Sequence, residues 1–244
     1  MKLLSFATGN LYRFLNEVNL VEFVNNLNVD GIEYTYGKHY DERPLSRLDE
    51  SILLSKKDVS MHVPFKIFRK PETFEKDVID FKNIILDYKK VNAKRLVIHP
   101  NQIPNDELLS FGRKQGVQYI TENLRKRHGN DKHKQHQQRD FEIVLNEHKD
   151  FGLCLDISHA YSWSQNETKY IAETWKDRIM QVHFSITHYT KGHLGTTSAS
   201  RNFLKSIKCI NELNVPIIIE EDMNTINKKT ILNEIKSIRK ITES

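Results

Sequence analysis

The sequence predicts an α/β protein, a single (β/α)8 barrel in which eight parallel strands close on themselves and a helix follows each. Three observations carry this. Eight short apolar, β-branched runs alternate with amphipathic stretches, the pattern that gives a parallel sheet. The chain has 244 residues, close to the roughly 250 typical of one such barrel. Six histidines or carboxylates, His62, His99, Glu122, Asp156, His183 and Glu220, each close one of the runs. In a parallel barrel all strand C-termini open onto one face, where such folds do their chemistry.

The elements follow in order. Lys2–Ala7 holds a lysine and a short apolar stretch, too short for a signal-peptide core and without a cleavage site, so it reads as the first strand. Gly31–Tyr36 and Val59–Val63 are the second and third strands. From Thr73 to Val91 the residues Phe74, Val78, Phe81, Ile84, Ile85 and Tyr88 recur at three- and four-residue steps, which predicts a helix. Arg95–His99 and Gln118–Glu122 come next, then Leu153–Ile157 and Met180–Ser185. A second helical face runs from Phe203 to Leu213, and Pro216–Glu220 is the last strand. No Gly-x-Gly-x-x-Gly loop follows the first strand, which weakens a dinucleotide-binding fold. Residues 1–244 read as one domain.

One segment breaks the rhythm. After Glu122 the chain reads NLRKRHGNDKHKQHQQRD, nearly devoid of apolar residues and so unable to lie in a core. It follows a strand and therefore belongs to the active face, either as a plain solvated loop or as a flap or substrate clamp. Nothing fixes a geometry for His128, His133 and His136, which are not assigned as ligands.

The formal net charge is +5 and the pI about 9.0, a balance that modestly favours anionic partners such as sugar phosphates or nucleic acid. Two cysteines, Cys154 and Cys209, lie in or beside apolar runs, which argues against a disulfide framework and for free thiols in a reducing cytoplasm. No run approaches the eighteen or so apolar residues that span a bilayer. The expectation is a soluble, cytoplasmic protein without a membrane partner.

A divalent metal acting on a sugar or phosphate needs oxygen and imidazole ligands held rigidly, with positions left open for substrate. Glu122, Asp156, His183 and Glu220 make such a set for Mn, Mg, Co or Zn. His62 and His99 could hold a second ion, with Glu122 bridging. Each residue also has a plain reading: a strand-end histidine is often only hydrogen-bonded, and a carboxylate after a strand is often a helix N-cap. Six together are harder to dismiss, because charge at a core edge is costly unless paired or coordinated.

The ordered motifs GIE (Gly31–Glu33), HVPF at His62, VIHP at His99, EN at Glu122, LDISH (Asp156–His159), VHFS at His183, GHLG at His193 and IIIE at Glu220 span almost the whole chain. In these the sequence resembles the xylose isomerase-like TIM barrels, a group that includes sugar phosphate isomerases and epimerases and endonuclease IV. The resemblance implies one metal on Glu122, Asp156, His183 and Glu220, with Glu122 and Glu220 also exchanging a proton at a sugar carbon through an enediolate. His159 would contact substrate, and Glu33, Lys191 and His193 join it as candidate substrate contacts. The endonuclease members add a second metal on the residues matching His62 and His99, and a third that uses the His159-like residue with an Asp-x-His motif. Here Lys191 stands at that aspartate, removing the third ion's carboxylate; its ammonium could meet a substrate phosphate or hydroxyl. The aspartate often found after the seventh-strand histidine and the arginine that the epimerases place on substrate are also missing.

Three functional expectations result. The leading one is a metal-dependent isomerase or epimerase of a small sugar, sugar phosphate or related hydroxycarbonyl compound. The alternative is a phosphodiesterase acting on abasic DNA with a two-metal centre. The third is a barrel that has lost activity and serves as a binding module.

Overall fold

The computed structural model describes residues 2–126, 138–188 and 191–243, and at 188, 191 and 192 the backbone alone. The strands are β1 (Leu4–Ala7), β2 (Gly31–Thr35), β3 (Asp58–His62), β4 (Arg95–Ile98), β5 (Tyr119–Glu122), β6 (Gly152–Asp156), β7 (Ile179–Phe184), β8 (Ile186–His188), β9 (Lys191–Leu194) and β10 (Ile217–Ile219). Eight of them close a parallel barrel in the order β1-β10-β7-β6-β5-β4-β3-β2, as predicted, while β8 and β9 pair antiparallel outside it. The helices are α1 (Leu20–Asn25), α2 (Arg47–Leu54), α3 (Phe74–Lys90), α4 (Asp106–Lys114), α5 (Asp140–Glu147), α6 (Ile157–Trp163), α7 (Glu167–Thr174), α8 (Arg201–Ser206) and α9 (Lys228–Thr242).

Local chemistry explains the helix starts. Asn19, Ser46, Asn105, Ser200 and Asn227 each accept a first-turn backbone N–H, and Ser46 with Asp49 forms a reciprocal capping box. Helix α3 buries Phe81, Ile84, Ile85 and Tyr88 along one stripe, with Glu75 and Asp77 in its first turn and Lys89 and Lys90 in its last. The stretch expected as one helix from Phe203 to Leu213 is divided: α8 ends at Ser206 and a 3-10 turn covers Lys208–Glu212. Phe203, Ile207, Ile210 and Leu213 are all buried, so the predicted apolar face survives the tighter winding. The β8–β9 hairpin was not expected; it carries Ile186 into the core and places His193 over the barrel mouth.

Period-two alternation splits the barrel strands between two environments. Outward residues such as Phe6, Ile32, Met61, Leu96, Leu155, Phe184 and Ile219 pack under the helices in one large core cluster. Val97, Ile120 and Cys154 form a separate small cluster inside the barrel. The rest of the interior is unusual, since such barrels are commonly filled by bulky branched residues. Ser5, Glu33, Asp58, Ser60, Arg95 and Gln181 are all buried and joined by hydrogen bonds. Gly31 is required at the base of β2, where a Cβ would collide with the Asp58 carbonyl and the Ser5 hydroxyl. Among the described residues no helix is long and apolar enough to cross a membrane.

Candidate metal centre and its cavity

The strand ends deliver all six predicted side chains to one face. His62, Glu122 and Asp156 are the last residues of β3, β5 and β6; His183 is the penultimate residue of β7; His99 and Glu220 directly follow β4 and β10. Glu122 is the hub. Its Oε2 lies 3.4 Å from His62 Nε2, 3.6 Å from His99 Nε2 and 3.6 Å from His183 Nδ1, while Oε1 lies 3.0 Å from His159 Nδ1. Burial pushes the Glu122 carboxyl up, but the His183 charge and hydrogen bonds from His159, His62 and His99 hold it well below its ordinary value.

Asp156 serves both as cap and as candidate ligand. Its Oδ1 accepts the His159 N–H at 2.7 Å as the N-cap of α6, and its Oδ2 is buried without a hydrogen-bond partner. The Asn123 carboxamide locks β5 to β6, donating to Asp156 O and accepting from Asp156 N, both at 2.8 Å. Asn10 does the same beside Glu220: it donates to Ile219 O at 2.8 Å and accepts the Glu221 N–H at 3.0 Å. Next to it, burial and the neighbouring Glu234 carboxyl push Glu221 up to about 10, so it stands protonated at neutral pH.

A buried relay orients His183. Arg95 holds both Asp58 oxygens at 2.7 Å and donates from Nε to Gln181 Oε1 at 2.7 Å. That fixes the Gln181 amide, whose Nε2 donates to Glu33 Oε2 at 2.9 Å, an oxygen that also accepts from Ser60 Oγ at 2.9 Å. Glu33 lies 3.2 Å from His183 Nε2. Burial pushes the Glu33 carboxyl up, but the His183 charge and hydrogen bond outweigh it and leave Glu33 below its ordinary value. Without an ion the His183 ring is held protonated; were an ion to replace its Nδ1 proton, the ionised Glu33 would favour the remaining proton on Nε2, an atom that also lies 2.9 Å from Gln181 Nε2. Glu33 was expected among the substrate contacts; it is fully buried beneath the mouth and touches His183 instead.

The four atoms expected to hold one ion can be tested for fit. His183 Nδ1 and Glu220 Oε2 lie 2.8 Å apart but in a direction that makes no hydrogen bond, and both are orphaned, as is Asp156 Oδ2. Buried orphans of this kind call for a ligand, ion or proton. Glu122, Asp156, His183 and Glu220 present atoms within 4.8 Å of one another, a hard oxygen-and-imidazole set suited to a divalent cation. Three further groups share these residues among those described: His62, His99 and Glu122; Glu122, Cys154 and His183; and Asp156, His159 and His193. His193 has φ +56, a left-handed conformation that costs on the order of 1 kcal/mol for a non-glycine residue. It is held there by the Asp222 N–H on its carbonyl at 2.8 Å and by Ser185 Oγ and Glu220 O, 3.2 and 3.1 Å from Nδ1.

These groups floor a cavity of about 810 Å³, whose walls include His99, Glu122, His159, His193 and Glu220. The side chain of Lys191 lies outside the described residues, as do His128, His133 and His136. The sequence reading missed Asn10, Asn123, Arg95 and Gln181. The last two were legible in principle, because Arg95 and His99, and Gln181 and His183, keep the even spacing that faces one side of a strand.

No protein-family model matches the chain, and no curated protein matches it. Solved structures do. A D-tagatose 3-epimerase-like protein superposes with a TM-score of 0.68 at 16% identity, covering 99% of this chain and 100% of that one. The probable 3-DHS dehydratase AsbF from Bacillus anthracis gives 0.66 at 12% identity, covering 98% and 99%. A xylose isomerase domain protein from Planctomyces limnophilus gives 0.64 at 12% identity, covering 98% and 95%. The chain has the xylose isomerase-like TIM-barrel fold.

Proposed function

We propose that this protein is a divalent-metal-dependent isomerase or epimerase of a small sugar, sugar phosphate or related hydroxycarbonyl compound. One observation carries the reading: two carboxylates, Glu122 and Glu220, line the same cavity and belong to the same four-residue ligand set. The ion, when bound, polarises the substrate carbonyl and the adjacent hydroxyl and so acidifies the C–H between them. Glu220 takes that proton. Burial pushes its carboxyl up, but the His183 and His193 charges outweigh this and keep it ionised, as a base requires. Glu122 returns a proton to carbon that it draws from the His159 imidazolium, whose Nδ1 lies 3.0 Å from Glu122 Oε1, and the proton left on Glu220 passes to solvent to restore the balance. Glu33, Gln181 and Arg95 hold His183 in place, Asn123 positions Asp156 and Asn10 positions Glu220. The epimerase and isomerase names of similar structures accord with this reading.

The test is solvent exchange. Protein supplied with Mn and a panel of ketoses in deuterium oxide should wash deuterium into the position beside the carbonyl. Glu220→Gln should lower that rate by about 10²- to 10⁴-fold while the fold is kept. A Glu220→Gln protein that exchanges at the full rate overturns the assignment.

A second reading rests on a separate observation: His62 and His99 both face the Glu122 oxygen that also faces His183. A two-metal centre bridged by Glu122 would suit water attack on a phosphodiester. Incubation with a duplex containing an abasic site decides it, and an intact duplex across several divalent metals removes it.

A further inference from the structure

A thiol lies beneath the four-residue ligand set. Cys154 stands on β6 two residues before Asp156, so both side chains face the barrel interior, with Cys154 about 6–7 Å deeper along the strand. It pairs in register with Glu122 of β5, and its Sγ accepts from Gln181 Nε2 at 3.4 Å. Cys154, Glu122 and His183 present ligand atoms within 4.8 Å of one another. All three residues are buried, and His183 Nδ1 has no hydrogen-bond partner. Among the described residues no such group joins Cys154 to Asp156 or Glu220. Packing with Val97 and Ile120 explains a small apolar side chain at this position but asks nothing of sulfur.

We propose that Cys154, Glu122 and His183 form a second ion position beneath the first, exclusive with it and selective for thiophilic ions such as Zn and Cd. Exclusivity follows from the ligands, because Glu122 and His183 belong to both groups and an ion at one level takes them from the other. Selectivity follows from the donors: a thiolate favours soft ions, whereas the carboxylates of the upper set suit Mn and Mg. Glu122 also lines the cavity, which gives the ion its way down. Burial pushes the lone thiol up to about 12, so it waits protonated. As the S–metal bond forms, that proton passes to solvent, and no oxidant or reductant is needed. An ion there withdraws Glu122 from the proton transfer proposed above, so a thiophilic ion would hold the protein inactive. That consequence rests on the isomerase reading; the ion position itself does not.

Titrating Cd into chelator-treated protein tests this through the ultraviolet absorption of a Cd–thiolate bond. Wild-type protein should develop the band, and rising Mn should weaken the apparent Cd affinity in proportion to its concentration. Cys154→Ser and Cys154→Ala should lose the band and bind Cd at least about tenfold more weakly, with Mn affinity changed by less than about twofold. Cys209, in the turn Lys208–Glu212, is the other thiol of the chain, and Cys209→Ser should keep the band. Should both Cys154 variants fail to fold, Cys209→Ser and the Mn competition still decide. No band in wild-type protein, a band that Cys209→Ser removes, or a band that saturating Mn leaves untouched overturns the proposal. Mn binding without a Cd–thiolate band removes the deeper position alone. Failure to bind either ion removes the upper centre as well, whereas Cd and Mn binding as expected without deuterium exchange removes only the isomerase reading.

Discussion

Replacing Glu33 by glutamine should weaken metal binding although residue 33 touches no metal. The carboxylate is fully buried and accepts from Ser60, Gln181 and His183 at once, so water cannot substitute for it. An amide of the same size offers a single accepting oxygen, brings two donors against Gln181 and Ser60, and removes the charge that favours a proton on His183 Nε2. Loss of such an outer partner costs about 10- to 100-fold in metal affinity, or roughly 1.4–2.7 kcal/mol. Competition against a fluorescent chelator with Mn or Zn measures it. Melting supplies the cross-check: metal at about 100 times the dissociation constant stabilises by about 2.7 kcal/mol, and a tenfold weaker site would give about 1.4. A Glu33→Gln protein with an unchanged metal-free melting temperature and unchanged metal affinity would refute the orienting role.

Three other outcomes are expected. His159 keeps its ring proton up to about 9, because the Asp156 charge and the Glu122 hydrogen bond outweigh the opposing effect of burial. That folded value is raised above the ordinary 6.5, so its contribution to stability is whole below pH 6.5 and is lost as pH rises through about 9. Chelator-treated protein should therefore lose on the order of 3 kcal/mol across that window by urea titration, and His159→Gln should flatten the slope. Metal should bind more tightly as pH rises and should release protons, because His183 is held protonated without it; calorimetry in buffers of different ionisation enthalpy counts them. Arg95→Met should lower stability by about 3–5 kcal/mol in chemical denaturation, since it leaves the buried Asp58 carboxylate unpaired.

The barrel and the convergence of its six strand-end residues were legible because both follow from periodicity: apolar runs of strand length, and a ligand-type residue where each run stops. What lay beneath them was harder to read. Asp58, Ser60, Arg95 and Gln181 sit inside runs whose outward residues are strongly apolar, and the runs as a whole read as greasy strands. Which face a residue takes depends on the register, and the register is fixed only once the strands pair. Glu33 shows the same limit, since its place beneath the mouth rather than on it depends on how far β2 extends past it. The β8–β9 hairpin and the group of Cys154, Glu122 and His183 bring together residues from separate segments, which no local pattern reveals.

Glu122, Asp156, His183 and Glu220 are expected to hold a divalent ion. Anomalous diffraction from crystals grown with Mn measures this directly. The expected result is a peak bonded to all four side chains at about 2.0–2.2 Å. Crystals with no peak among these four residues, from protein whose fold is intact, would contradict it.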